Sequence, residues 1–117
     1  MSAKKLEINE RETGGAVVFD IIGELTIGSG TEKLLDRVRT RLNAGQRTLL
    51  VNMAQCRRVD SSGLGELVTC LVTSARQDAT LRLTNVPQQI QGIMKMSNIY
   101  KAFEILDTED AALEKQG

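Results

Sequence analysis

Between Gln46 and Thr84 the hydrophobic period changes twice, and this alternation restricts the fold more than any other stretch of the chain. Leu49-Leu50-Val51 is a continuous apolar run, the pattern of a strand covered on both faces, within a strand predicted over Gln46–Met53. After Val59, apolar residues fall at Leu64, Leu67, Val68, Leu71, Val72 and Ala75, the spacing of a helix with one buried face. That helix is predicted from Ser62 or Gly63 to Arg76, and Ala79 to Thr84 then alternates through Leu81 and Leu83 as a further strand. Strand, helix and strand at this length imply a right-handed parallel crossover.

The flanking segments extend that unit. Lys5 to Arg11 alternates through Leu6 and Ile8, Gly14-Gly15 supplies a turn, and the β-prone run Ala16 to Ile22 completes a hairpin that Gly23-Glu24-Leu25 closes. Thr26 to Gly30 reads as a loop leading to an N-cap at Ser29 or Thr31. From Thr31 to Ala44, Leu34, Leu35, Val38 and Leu42 form one apolar stripe, with Glu32, Lys33, Asp36, Arg37, Arg39 and Arg41 on a solvated face and Gly45 as the stop. Pro87 suits the first turn of a third helix with Asn85 as cap and Ile90, Ile93 and Met94 on its apolar face, ending at Ser97-Asn98. Ala102 to Leu106 is the last expected strand, and Thr108 to Lys115 a short helix capped by Thr108. The order β-β-α-β-α-β-α-β-α, without repeat or linker, predicts one α/β domain with a mixed sheet over residues 1–117.

Composition narrows the chemistry. Histidine is absent, which removes the usual general base, the commonest metal ligand and any Ser-His or Cys-His nucleophile. Asp60 with Glu66 or Glu24 has no spacing that defines a coordination sphere, so neither metal nor cofactor is expected. Lys plus Arg equals Asp plus Glu at 15 each, leaving no net pull toward nucleic acid. Without Trp, and with one Tyr and two Phe, the chain lacks platforms for stacking bases or sugars, and protein surfaces become the natural target. Short apolar runs broken by charge show neither a signal peptide nor a spanning segment, so a cytoplasmic protein without membrane insertion is expected. Cys56 and Cys70 lack metal or redox spacing and read as buried thiols.

The stretch Asp60-Ser61-Ser62-Gly63-Leu64-Gly65 lies where a strand hands over to a helix. Unpaired N–H groups and the positive end of the macrodipole favour Asp or Ser there and tolerate an anion. Capping alone could account for the Asp and the serines, and local physics favours that reading. Gly63 and Gly65 cost roughly 1 kcal/mol each relative to Ala in a first helical turn, so they need a reason, either the close approach of another surface or a sharp bend. A catalytic Ser61 finds no base in the chain and no G-x-S-x-G elbow around it. Gly28-x-Gly30 lacks the Lys and hydroxyl of a phosphate loop, which argues against a nucleotide-binding protein.

Gly23-Glu24-Leu25, then Asp60-Ser61-Ser62-Gly63-Leu64-Gly65, then Met96-Ser97-Asn98-Ile99 resemble the bacterial anti-sigma factor antagonists of the STAS superfamily over nearly the whole chain. The resemblance implies a STAS-like domain whose element order matches the one above. It implies that Ser61, directly after the aspartate, is phosphorylated by a partner anti-sigma factor, an ATP-using serine kinase, and restored by a metal-dependent serine phosphatase. In that scheme the unphosphorylated protein binds the kinase and frees a sigma factor, with Asp60 positioning Ser61 and Ser62, Gly63, Leu64 and Gly65 forming the contact surface. The helix N-terminus then holds the phosphate internally while the outer surface becomes wrong for the partner, and Arg57 or Arg58 either pairs with it or is ordinary surface charge. Many members place an acidic kinase-contacting residue where this chain has Thr26, and an apolar or aromatic residue where it has Arg58, which points to a divergent partner. The other reading is a STAS scaffold or regulatory subunit of a stress-signalling or transporter complex, using the same surface without phosphorylation.

Overall fold

The computed structural model describes residues 5–115. Its elements are β1 (Leu6–Thr13), β2 (Ala16–Leu25), α1 (Glu32–Asn43), β3 (Thr48–Val59), α2 (Ser61–Arg76), β4 (Thr80–Thr84), α3 (Gln88–Met96), β5 (Glu104–Leu106) and α4 (Glu109–Glu114). The expected order holds, with a turn of 3-10 helix at Tyr100–Ala102 where the last strand was expected to begin. The strands neighbour one another in chain order, β1 and β2 antiparallel and β2 to β5 parallel, so the sheet is mixed.

Alternation along β2 and β3 sends side chains into two cores. Val17, Phe19, Ile21, Leu49, Val51 and Met53 pack with residues of α1, α2 and α3 on one face. Ala16, Val18 and Leu50 meet Ala112 of α4 on the other, so the central strand is covered twice as its apolar run implies. Leu34, Val38 and Leu42 of α1 and Leu64 and Leu67 of α2 are inward residues of their stripes, but α2 also buries Cys70 and Ser74 while Val72 and Ala75 of the expected stripe are exposed. Both cysteines are buried, and burial pushes the Cys70 thiol up to about 12.

Four local expectations give way to tertiary structure. The strand expected to end at Met53 runs to Val59, because Ile22–Leu25 of β2 pairs with Gln55–Val59 through two register shifts. Its last pair with β4 is Asn52 with Thr84, so the end of β3 overhangs its neighbour. Thr31 occupies the N-cap of α1 without a side-chain cap bond, and the Ser29 hydroxyl turns instead to the Thr26 backbone. Asn85 does not cap α3. Its φ is 54°, and Pro87 holds the N-cap position. The charged face of α1 is not simply solvated, since Arg37 and Arg41 bond Glu10 of β1 and Arg41 also reaches Glu12. Gly45 does end α1 as read: at φ 97° its N–H donates to Leu42 O while that of Gln46 donates to Arg41 O.

The short α4 is held by its cap and by charge. The Thr108 hydroxyl accepts from the Ala111 N–H at 3.1 Å, and the Glu109 carboxylate accepts from Arg11 and from Asn52. Arg11 also bridges to Asp20 at 2.7 Å, so one guanidinium links β1, β2 and α4. The Arg11 guanidinium holds the Glu109 carboxyl below its ordinary range, against partial burial and with help from Asn52. A carboxylate lowered in the folded state stabilises the fold above the ordinary glutamate range and loses that contribution as the pH falls through the folded value. Urea unfolding should therefore show stability falling on acidification from 4.5 downward, with Glu109→Gln less stable at neutral pH and flatter in acid. An unchanged acid slope in that variant would show that the pair does not hold α4.

Candidate functional site

The carboxyl ends of β2 and β3 lie side by side, with Leu25 opposite Val59, and each strand leads into a loop or helix start at the same edge of the sheet. In parallel arrangements this edge is where side chains and backbone donors are free to form a site. Asp60 sits at its centre in an extended conformation as the N-cap of α2. Its Oδ1 accepts from the Gly63 N–H at 3.1 Å and its Oδ2 from the Ile27 N–H at 2.9 Å. Its own N–H donates to Leu25 O at 3.3 Å, and its carbonyl accepts from the Leu64 N–H at 2.9 Å. Partial burial works against the ionised carboxylate, but the N–H donors of Ile27, Gly63 and Ser62 outweigh it and hold the carboxyl below the usual aspartate range.

With the cap supplied by Asp60, the serines are left over. Ser61 is the first residue of α2 and is exposed, and its hydroxyl has no hydrogen-bond partner among the described residues. The half-buried Ser62 hydroxyl likewise makes no bond among them. Capping thus explains Asp60 but not Ser61.

The two glycines separate in the same way. A Cβ on Gly63 would lie 2.0 Å from Leu25 O, so the bare Cα is what lets α2 start against the end of β2. The close approach is internal. A Cβ on Gly65 would meet nothing within 4 Å, and this glycine leaves a low spot on the surface. That spot belongs to an open, largely apolar depression of about 330 Å³ lined by Ser61, Leu64, Gly65, Val68, Ser97 and Ile99. Leu64 itself is nearly buried, with only its rim in the depression.

Of the expected contact residues, the structure therefore gathers Ser61, Leu64 and Gly65 at one depression, while Asp60 and Gly63 build its support. Thr26 is only 4% exposed, and its hydroxyl points to the Glu24 carboxylate at 3.4 Å. The exposed side chain next to Thr26 is Ile27, 74% accessible. Ile27 and Val68 were not singled out from the sequence as contact residues, and the 88% exposed Met96 entered there only as the first residue of the Met96-Ser97-Asn98-Ile99 motif. Ile27 was detectable as the apolar residue next to Thr26, and Val68 read only as part of the helix's inner stripe. Arg58 lines a separate depression with Val59, Gln89 and Ile93 rather than the one at Ser61. Glu66 accepts from the Leu35 N–H at 3.2 Å and ties α2 to α1, with burial raising its carboxyl. No helix among the described residues is long and apolar enough to cross a membrane.

The sequence matches the family described as Mlab, STAS domain over residues 8–107. Among solved structures, a candidate anti-sigma factor antagonist from Thermotoga maritima superposes with a TM-score of 0.84 at 19% identity, covering 92% of either chain. The Bacillus cell fate determinant SpoIIAA in its phosphorylated form gives 0.66 at 20% identity, covering 91% of this chain and 95% of that one. The murine anion transporter Slc26a9 gives 0.75 at 17% identity, over 91% of this chain and 18% of the transporter. At such identities the likeness is one of fold.

The glycine geometry sets opposite signs for two similar substitutions. Gly63→Ala should destabilise by at least about 2 kcal/mol, because backbone must move to relieve the clash with Leu25. Gly65→Ala should stabilise by up to about 1 kcal/mol through helix propensity. Denaturant melts of the two variants decide this, and a tolerated Gly63→Ala would contradict the packing described.

Proposed function

Because the chain belongs to the STAS domain family, we propose that it is an anti-sigma factor antagonist, a binding module rather than an enzyme, switched by phosphorylation of Ser61. The observation that carries this reading is the Ser61 hydroxyl, exposed, unbonded among the described residues and set on the rim of an apolar depression. In the unphosphorylated state the partner, an anti-sigma factor serine kinase, docks over Leu64, Gly65 and Val68 and releases its sigma factor. Nucleic acid is affected only through that sigma factor. Ile27 and Met96, exposed apolar side chains of the preceding loop and the end of α3, extend the contact surface. Thr26 acts by holding the loop that presents Ile27.

For transfer, the Ser61 Oγ attacks the γ-phosphorus of ATP held by the kinase, ADP leaves, and the hydroxyl proton passes to a base of the kinase. The product adds about 1.5 to 2 negative charges at pH 7. Asp60 already occupies the N–H of Gly63 with its side chain and that of Leu64 with its carbonyl. The phosphate therefore finds those donors taken and stays at the surface, beside a carboxylate and an apolar rim. Docking would bury an unpaired charge there, which is costly, so the partner dissociates without any change of fold. A serine phosphatase reverses the step by hydrolysis.

A second reading has a specific support, the superposition on an anion transporter of which this chain spans 18%. There the same depression serves a transport or signalling assembly as a constitutive regulatory contact. Calorimetry with the cognate anti-sigma kinase separates the two. Ser61→Ala should bind within about twofold of the wild type while accepting no phosphate, and Ser61→Asp should bind at least about tenfold more weakly, roughly 1.4 kcal/mol. Equal binding by the wild type and Ser61→Asp would favour the constitutive contact.

A further inference from the structure

A cavity of about 400 Å³ opens at the start of β1 and the end of β2, and Lys5, Lys33 and Arg57 are among the residues that line it, Arg57 also lining the neighbouring depression with Arg58. Arg11, Arg37, Arg41, Arg82 and Lys115 each face a carboxylate, whereas these three cations have none within ion-pair distance among the described residues. Among the described residues one carboxylate, Glu7, also lines the cavity, so their charge there has a positive excess. Three elements supply the cations, Lys5 just before β1, Lys33 from the first turn of α1 and Arg57 from the overhang of β3. Gly30 takes part by having no side chain: a Cβ there would lie 3.2 Å from Cε and 3.5 Å from Nζ of Lys33, so the bare Cα gives the lysine room over the loop.

We propose that this cavity binds a small phosphate monoester, with Lys5, Lys33 and Arg57 around the phosphate and Ile22 and Leu6 against the body of the ligand. An arginine fork with two ammonium groups is matched to a dianionic oxyanion. The volume exceeds that of a bare phosphate and falls in the range of small-molecule sites. Among the described residues no aromatic side chain lines it, so nothing there would stack a base, and the ligand is an ester of a compact polar body rather than a nucleotide. The site is linked to the switch through the loop after β2. Ser29 lines the cavity and bonds the Thr26 backbone, and the next residue, Ile27, donates to Asp60. A ligand here therefore bears on the loop that supports Ser61.

The test is calorimetric and amide-NMR titration of the full chain with inorganic phosphate, glycerol phosphate and AMP, in the absence of any kinase. Saturable binding is expected, glycerol phosphate at least as tight as inorganic phosphate and AMP no tighter than glycerol phosphate, with shifts at Ser29, Lys33 and Arg57. Lys33 and Arg57 are exposed, so Lys33→Ala and Arg57→Ala should fold normally, and each should weaken binding about tenfold. Lys101→Ala, on the far 3-10 turn, should change nothing. Ser61→Ala should also bind as the wild type does, so this site and the phospho-switch stand or fall separately. No saturation up to roughly 10 mM, a marked preference for AMP, or undiminished binding by a Lys33→Ala, Arg57→Ala double variant would overturn the proposal.

Discussion

The Asp60 carboxylate joins two parts of the chain that are distant in sequence. One oxygen accepts from the first turn of α2 and the other from the loop after β2, and the Asp60 N–H returns to Leu25. Charge-assisted bonds from backbone donors are among the stronger ones a carboxylate makes, and here they fix the loop and the helix in one relative position. The bare Cα of Gly63 permits that position by letting the helix start against Leu25 O. Everything proposed for the site follows from this placement. Ser61 is exposed, Ile27 is held by its backbone bond to Asp60, and Leu64 lies just under the surface.

Under the proposed function, the same arrangement would let one covalent group act on binding without remaking the fold. The sheet behind the site is covered on both faces and its central residues are fully buried, so the scaffold has little room to adjust. The surface in front is shallow and apolar, the kind that gains by being covered and loses when a charge is placed at its rim. Asp60 contributes to the second effect, because donors that would otherwise receive a phosphate are already engaged. On the proposed reading a phosphate on Ser61 is presented at the surface rather than absorbed by the start of α2.

Much of the architecture was legible because it rests on local period. The double-sided run Leu49-Leu50-Val51, the stripe of α1 and the Gly45 stop appear where the pattern puts them, whereas the buried face of α2 keeps Leu64 and Leu67 but turns to Cys70 and Ser74 and leaves Val72 and Ala75 exposed. What escaped depends on partners far along the chain. The end of β3, Ala54 to Arg58, has only Cys56 facing inward, and its pairing with β2 through register shifts leaves no clean alternation to read. Arg37 and Arg41 look like solvated charge until β1 brings Glu10 and Glu12 beside them. At the site, Asp60 and Ser61 were visible as a pair, but their division of labour was not, since the second acceptor bond of Asp60 comes from Ile27. Position 26 was singled out for partner contact from the resemblance, yet the turn buries that side chain and exposes the next one. The reason for Gly63 is a carbonyl of another strand, which no local rule discloses.

The central claim is that Ser61, and not the neighbouring Ser62 or a capping interaction, is the functional hydroxyl. Phosphopeptide mapping by tandem mass spectrometry of the protein after incubation with its anti-sigma kinase and ATP tests this directly. Phosphate on Ser61, with Ser62 unmodified and the Ser61→Ala protein left unlabelled, is the predicted result. Phosphate on Ser62 alone, or none on either residue under an active kinase, would contradict it.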